Sequence, residues 1–211
     1  MIDIAFIAPS NSLNTYQSLS NKYSAIEPPT WALILAESVR SKGFNPIIID
    51  CLAEQLDDNS AIKIIKKQKP RIICFVVYGQ NVNAGTTNMS GAVRLSKRIK
   101  QKNINTRIGF LGSHVQALPK NTLETETSID FVFLNEGIYA LNNILKLKEI
   151  NDKELLNISG LAVRYNNEII FTPSEKIVPN DKMDYEMPGY AWDLLPFKNK
   201  PLDLYRAPFG M

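Results

Sequence analysis

Three adjacent residues, Gly112, Ser113 and His114, have the greatest potential for chemistry in this sequence. They follow a run of strand-forming residues, 107–111, and a turn of small residues lets the backbone approach a flat or bulky molecule closely. His114 is the single histidine of the chain, and its imidazole can donate or accept a hydrogen bond. Two interpretations stay open: His114 lines a ligand site, or it is hydrogen-bonded within its own loop.

Three further loops of small or polar residues follow predicted strands. Their candidate ligand contacts are Ser10 and Asn11 after the first strand, Gly79, Gln80, Thr86 and Thr87 after the third, and Glu136 and Gly137 after the fifth. Short hydroxyl and amide groups can hydrogen-bond the amide and phosphate groups of a ligand. A structural alternative also stays open, in which Thr86 or Thr87 caps a helix and Glu136 is an acid that favours a helix start.

Strands and helices alternate along the first 150 residues. Short apolar runs predict strands at 2–8, 46–50, 71–78, 107–111 and 129–134. The segments between them predict helices that begin at the prolines 28–29, at 57, near 91 and near 138, and leave residues 79–90 as a loop. This alternation is typical of βαβ units, which form a parallel sheet with helices on both faces.

We therefore predict an α/β fold: a flavodoxin-like (Rossmann-like), doubly wound, five-stranded parallel sheet in the order 2-1-3-4-5. The carboxyl ends of the strands then share one edge, which brings the four loops together. Beyond residue 150 the pattern changes, and residues 158–172 predict a β-hairpin because Asn166-Asn167 tolerate the positive φ of a tight turn. We predict a ligand-binding domain over 1–150 and a hairpin with a linker over 151–211.

Composition excludes several classes of protein. The chain is 45% hydrophobic and 21% charged, with a net charge of +3 and scattered basic residues, so we expect no nucleic-acid partner. No apolar run approaches the roughly 20 residues of a membrane span, and the first residues lack the pattern of a signal peptide. We expect a cytoplasmic protein in which Cys51 and Cys74 are buried free thiols. Two cysteines and one histidine cannot form a structural zinc site or hold an iron–sulfur cluster alone.

Other ligands and activities fit the sequence less well. A dinucleotide site needs a Gly-x-Gly-x-x-Gly run after the first strand, and residues 10–27 contain no glycine. A flavin remains an alternative, because a loop rich in Ser and Asn can bind a phosphate. A hydrolase acting through His114 lacks a Gly-x-Ser-x-Gly elbow, and Asp3 and Asp50 are poor candidates for the phosphorylated residue of a receiver domain.

The segments together resemble the N-terminal cobalamin (vitamin B12)-binding domain of B12-dependent radical S-adenosylmethionine (SAM) proteins. The likeness covers nearly the whole chain, and it depends on the order and spacing of the matching segments. The matching segments are 28–36, 43–50, Val77-Tyr-Gly-Gln80 with Thr86-Thr87, Gly112-Ser-His114 with 117–119, 130–137, 158–161 and 187–196.

The resemblance implies that cobalamin lies across the carboxyl edge of the sheet, with its nucleotide tail between sheet and helices. A Gly-Gly pair common in the family is here Leu111-Gly112, and the Thr86 region takes the place of a serine that contacts the tail. Residues 10–27 contain no histidine, so the expected cobalamin is base-off without a protein histidine ligand, and we assign no metal ligand, His114 included.

The resemblance also implies that the cofactors are held by two different domains. Radical SAM domains carry three closely spaced cysteines, a motif that this sequence lacks. The iron–sulfur cluster and SAM would therefore belong to an absent domain. We expect the cobalamin-binding module of a methyltransferase-type radical SAM enzyme, truncated and binding its cofactor without catalysing, with a radical SAM domain or chain as partner. The alternative is a flavodoxin-like module for a flavin or another small ligand.

Overall fold

A computed structural model describes residues 1–10, 26–78 and 82–196 and Tyr205. A mixed sheet runs through the molecule, with its strands in the spatial order β2-β1-β3-β4-β5-β6-β7. The first five strands are mutually parallel, and β6 and β7 continue the sheet antiparallel to β5. The strands are β1 Ile4–Ala8, β2 Pro46–Asp50, β3 Ile72–Val76, β4 Arg107–Leu111, β5 Phe131–Phe133, β6 Leu161–Tyr165 and β7 Glu168–Phe171.

Helices connect the parallel strands and cover both faces of the sheet. They are α1 Thr30–Ser41, α2 Asp58–Gln68, α3 Val82–Gln101, α4 Ser113–Ala117, α5 Pro119–Thr125, α6 Ile138–Lys146, α7 Asp152–Leu155 and α8 Met183–Glu186, with 3-10 turns at Asn180–Lys182 and Trp192–Leu194. Among the helices of the described residues, none is both long and apolar enough to cross a membrane.

Two apolar layers hold the sheet between the helices. Successive residues of a strand point to opposite faces, so Ile4 and Phe6 of β1 pack with α1 and α6, whereas Ala5 and Ile7 pack with α2 and α3. Strand β3 is buried along its whole length. Burial on both faces explains why these parallel strands are continuous apolar runs without polar alternation.

The prediction of five strands with a separate hairpin is wrong in one respect, because the hairpin belongs to the sheet. Strand β6 pairs with β5, with Val132 opposite Ala162. The predicted turn is confirmed: Asn166 and Asn167 have φ angles of 49° and 64°. The hairpin thus covers the edge of β5, which would otherwise present unpaired backbone groups.

Helix α3 begins about nine residues earlier than predicted, so the prediction of a loop over 79–90 is wrong beyond residue 81. Helix α3 spans Val82–Gln101 and carries Thr86 and Thr87 near its amino end. Threonine, asparagine and glycine are weak helix formers, but tertiary contacts override that preference here. The Asn88 amide donates to the Tyr78 carbonyl at 3.4 Å, which ties the first turns of α3 to the end of β3.

Residues 173–196, which we call the C-terminal strap, contact the loop after β5 and then helix α1. The backbone N–H of Ala191 donates to the Leu33 carbonyl at 3.2 Å, and Arg40 makes two hydrogen bonds to the Asp193 carboxylate. The side chains of Val178 and Leu195 join the apolar layer on this face. The strap is therefore part of the folded domain along its length.

Beyond the strap, Tyr205 meets the carboxyl end of β2. Its hydroxyl donates to Asp50 Oδ2 at 2.9 Å, and the other carboxylate oxygen accepts from the N–H of Ala53 at 3.0 Å. Asp50 is 2% exposed, and burial raises the pKa of its carboxyl above the ordinary value of 3.8.

We expect Asp50→Asn to remove a pH dependence of stability. The folded state holds the proton of Asp50 at pH values where the unfolded chain has released it. Stability of the unchanged chain therefore falls, relative to the variant, as pH rises from 3.8 through the raised pKa, and the difference is constant above it. Urea unfolding of both proteins from pH 3.5 to 7.5 measures this difference. Parallel stability curves over the whole range would contradict it.

Candidate functional site at the carboxyl edge of the sheet

The carboxyl ends of β1, β3, β4 and β5 lie along one edge of the sheet, as parallel pairing requires. Small and polar residues follow each of them. The described ones are Pro9 and Ser10 after β1, Tyr78 after β3, Gly112 and Ser113 after β4, and Asn135, Glu136 and Gly137 after β5. The predicted contacts Asn11, Gly79 and Gln80 lie outside the described residues.

The ends of β3 and β4 touch through a backbone contact that only glycine permits. The Val77 N–H donates to the Leu111 carbonyl at 2.7 Å. A Cβ on Gly112 would lie 2.2 Å from the Val77 carbonyl oxygen, and a Cβ on Gly85 would lie 2.8 Å from Ser113 Oγ. Gly112 therefore lets the backbones of β3 and β4 meet, and Gly85 lets α3 pack closely against the Ser113 side chain.

His114 lies in α4, where the sequence predicted a loop. Its Nδ1 is 3.4 Å from the Thr86 hydroxyl of α3, so two of the predicted contacts come together. His114 is half-buried and Thr86 is exposed. Together they present an imidazole and a hydroxyl beside the close contact of β3 with β4.

The loop after β5 is fixed by its own side chains. Gly137 has a φ of 80°, and a Cβ there would lie 2.3 Å from Leu111 Cδ1, so this loop packs directly on β4. The Glu136 carbonyl accepts from the Trp31 indole at 3.3 Å, and its carboxylate accepts from the Val178 N–H at 2.7 Å. Glu136 thus joins α1 and the C-terminal strap to the edge.

A hydrogen-bonded group that sequence reasoning missed joins three strand ends. Gln116 Nε2 donates to the Tyr78 hydroxyl at 3.0 Å and to the Asn135 carbonyl at 2.6 Å. The Tyr78 ring contacts the Trp31 ring, with 5.7 Å between centroids. The available signal was position: Tyr78 and Asn135 each follow a buried strand, and Gln116 lies two residues after His114 on α4.

Ser10 and Thr87, two further predicted contacts, make described hydrogen bonds elsewhere on the edge. The Ser10 carbonyl accepts from Arg94 of α3 at 3.5 Å, which places it toward α2, since Arg94 also pairs with Asp58. Thr87 is exposed, and its carbonyl accepts from the Ser90 hydroxyl. Both lie near the edge, but the described contacts do not join them to His114 or Tyr78.

Two shallow depressions, of about 360 and 400 Å³, lie at the opposite edge of the sheet. Their basic residues are Lys100 and Arg107 in one and Lys66, Lys69 and Lys102 in the other. Most of these lysines lie at the carboxyl ends of α2 and α3, where positive charge complements the helix dipole. We therefore place the candidate site at the carboxyl edge, where ligands of open α/β sheets bind.

Among the described residues, no group of three or more His, Cys, Asp and Glu side chains is placed to hold a metal ion. Cys51 and Cys74 are buried free thiols, as the sequence predicted. Burial raises the pKa of Cys51 to about 12 and that of Cys74 further still, so both remain protonated at neutral pH.

Strand order and polar loops define a doubly wound α/β ligand-binding domain, and comparison with known proteins places it in a family. The family model of the B12 binding domain matches residues 17–145, more than half of the chain. The chain belongs to the B12-binding domain family.

Similar proteins are considerably longer than this chain. An uncharacterized methyltransferase of Pyrococcus horikoshii is 33% identical over 187 residues, which are 87% of this chain and 37% of the relative. The cobalamin-dependent SAM radical enzyme OxsB, with aqua-cobalamin and SAM bound, superposes with a TM-score of 0.68 at 16% identity, over 92% of this chain and 24% of that one. The radical SAM methyltransferase TsrM of Kitasatospora setae gives 0.60 at 13% identity, over 82% and 30%. These two structures establish the likeness of fold.

Proposed function

We propose that this chain binds cobalamin across the carboxyl ends of β1, β3, β4 and β5, as the cofactor-binding part of a methyltransferase-type radical SAM enzyme. The observation that carries the proposal is the family match over 17–145, which includes all five parallel strands but the first. The names of the relatives, a methyltransferase and two radical SAM enzymes, support the proposed type of reaction.

The chemistry of the edge fits this ligand. Cobalamin is broad, with amide side chains around its ring and a nucleotide tail, so a site for it needs many neutral hydrogen-bonding groups and little charge. The edge presents hydroxyl and amide groups in Thr86, Ser113, Tyr78 and Gln116, together with the imidazole of His114. No side chain projects from Gly112 where the ends of β3 and β4 meet, which favours the approach of a wide ring.

We propose that the cobalt of the bound cofactor carries no histidine from this chain. The single histidine, His114, lies in α4 and has the Thr86 hydroxyl as neighbour. Cobalamin bound here supplies a cobalt centre able to carry a methyl group. The residues of this chain bind and orient it, and neither buried thiol is available as a cluster ligand. A partner radical SAM domain would hold the iron–sulfur cluster and SAM.

We expect the purified chain to retain hydroxocobalamin through gel filtration at one corrinoid per chain. After reduction, the electron paramagnetic resonance spectrum of bound Co(II) should lack the splitting caused by an axial nitrogen, since neither histidine nor the displaced tail base would ligate the metal. Flavin mononucleotide treated in the same way is the control ligand. Loss of the corrinoid with retention of the flavin would contradict the proposal and favour the flavodoxin-like alternative.

A further inference from the structure

Gln116 makes the Tyr78 hydroxyl a hydrogen-bond acceptor, which leaves the hydroxyl hydrogen without a partner among the described residues. The Asn135 backbone carbonyl can only accept a hydrogen bond, so the Gln116 atom 2.6 Å from it must be the amide nitrogen. The same nitrogen is 3.0 Å from the Tyr78 hydroxyl. An amide nitrogen only donates, so the Tyr78 oxygen is the acceptor and its own hydrogen points elsewhere.

No acceptor for that hydrogen exists among the described residues. Tyr78 lies two residues after β3, at the carboxyl edge, and its side chain is half-buried there beside Trp31. A phenol that accepts from the protein and still has its own hydrogen to donate is suited to a ligand with carbonyl oxygens. Leaving such a donor without a partner on ligand binding would be unfavourable, so its direction selects ligands that can accept.

We propose that Tyr78 donates a hydrogen bond to an amide carbonyl on the edge of the bound corrin, and that Gln116 is the positioning residue that directs this hydrogen. The inference depends on the proposed function, because it names a recognition contact within the cobalamin site. Gln116 lies on α4 and Asn135 after β5, so the direction of the Tyr78 hydroxyl is fixed by two strand ends other than its own.

The phenol keeps its hydrogen throughout the neutral range. Burial raises the pKa of Tyr78 above its ordinary value of 10, and the nearby Glu136 carboxylate raises it further. The donor is therefore present at any pH at which the protein would work, and affinity for the corrinoid should not change through Tyr78 between pH 6 and about 9.

Tyr78→Phe tests the contact, because it removes the hydroxyl and keeps the ring. We expect its Kd for hydroxocobalamin, from quenching of tryptophan fluorescence, to rise about fivefold to tenfold, the effect of one neutral hydrogen bond. Tyr139→Phe is the matched control: the Tyr139 hydroxyl on α6 is closed off from solvent, so a ligand at the surface should not reach it and its removal should leave Kd unchanged. Equal Kd values for Tyr78→Phe and the unchanged chain would overturn the inference, as would an equal loss in Tyr139→Phe.

Gln116→Glu tests the positioning role, because a carboxylate of the same size accepts and would draw the Tyr78 hydrogen to itself. We expect Kd to rise as in Tyr78→Phe, and the double variant to bind no more weakly than Gln116→Glu alone. Additive losses would overturn the positioning role, and thermal unfolding without ligand shows whether each variant is folded. If Gln116→Glu fails to fold, the comparison of Tyr78→Phe with Tyr139→Phe decides whether the contact exists.

Failure of the unchanged chain to bind any corrinoid would overturn the proposed function and this inference together, whereas normal binding by Tyr78→Phe overturns the inference alone.

Discussion

Replacing Gly112 by alanine is expected to lower the free energy of unfolding by about 2–4 kcal/mol, because the new methyl group would overlap backbone atoms. The added Cβ would lie 2.2 Å from the Val77 carbonyl oxygen and 2.7 Å from its carbon. Backbone cannot rotate away as a flexible side chain can, so the ends of β3 and β4 must separate. Tyr78 would move with Val77, and we expect affinity for hydroxocobalamin to fall as well.

Gly43→Ala is the matched control for that prediction. Gly43 has a φ of 88°, but a Cβ there meets no heavy atom within 4 Å. It should therefore cost only the strain of the left-handed conformation, about 1 kcal/mol, and leave corrinoid binding unchanged. Urea unfolding of Gly112→Ala, Gly43→Ala and the unchanged chain measures how much stability each substitution costs. Similar losses in Gly112→Ala and Gly43→Ala would show that the contact with Val77 is not tight in solution.

Replacing Phe110 by alanine is expected to destabilise the fold by about 3–5 kcal/mol, the usual cost of truncating a buried aromatic side chain. Phe110 is fully buried in the central strand β4, and its ring lies 4.7 Å from that of Phe75 on the neighbouring strand β3. Its loss would leave a cavity between the sheet and the helices α2 and α3. A shift in the midpoint of urea denaturation, with an unchanged slope, measures the effect.

Phe171→Ala provides the comparison for Phe110. Phe171 lies on the outermost strand, β7, and is 48% exposed, so its truncation should cost less than about 1 kcal/mol. If the two variants lost similar stability, the assignment of β4 to the centre of the sheet and β7 to its edge would be wrong.

The parallel half of the fold could be predicted from the sequence because its signals are local. Strands β2 and β4 begin and end at the predicted residues, since proline or a polar residue bounds each apolar run. The Asn166-Asn167 turn could also be predicted, because few residue pairs accept two positive φ angles. Each of these features depends on a handful of neighbouring residues.

Other features depend on contacts that the sequence does not display. The early start of α3 needs Gly85 to pack on Val77 and Ser113, contacts that local propensity cannot reveal. The residues of the hairpin did not show whether it would join the sheet. Alternating apolar and polar residues predict a strand, but they do not specify which strand it pairs with. The site shows the same limit: its four strand-end loops could be proposed, but the amide of Gln116 that joins two of them could not.

The central claim is that cobalamin lies on the carboxyl edge of the parallel strands, and a crystal structure of this chain with hydroxocobalamin tests it most directly. The account predicts a corrin ring over the ends of β1, β3, β4 and β5, with one of its amide carbonyls within hydrogen-bond distance of the Tyr78 hydroxyl. A corrin bound at the opposite edge, beside Lys66 and Lys102, would contradict it.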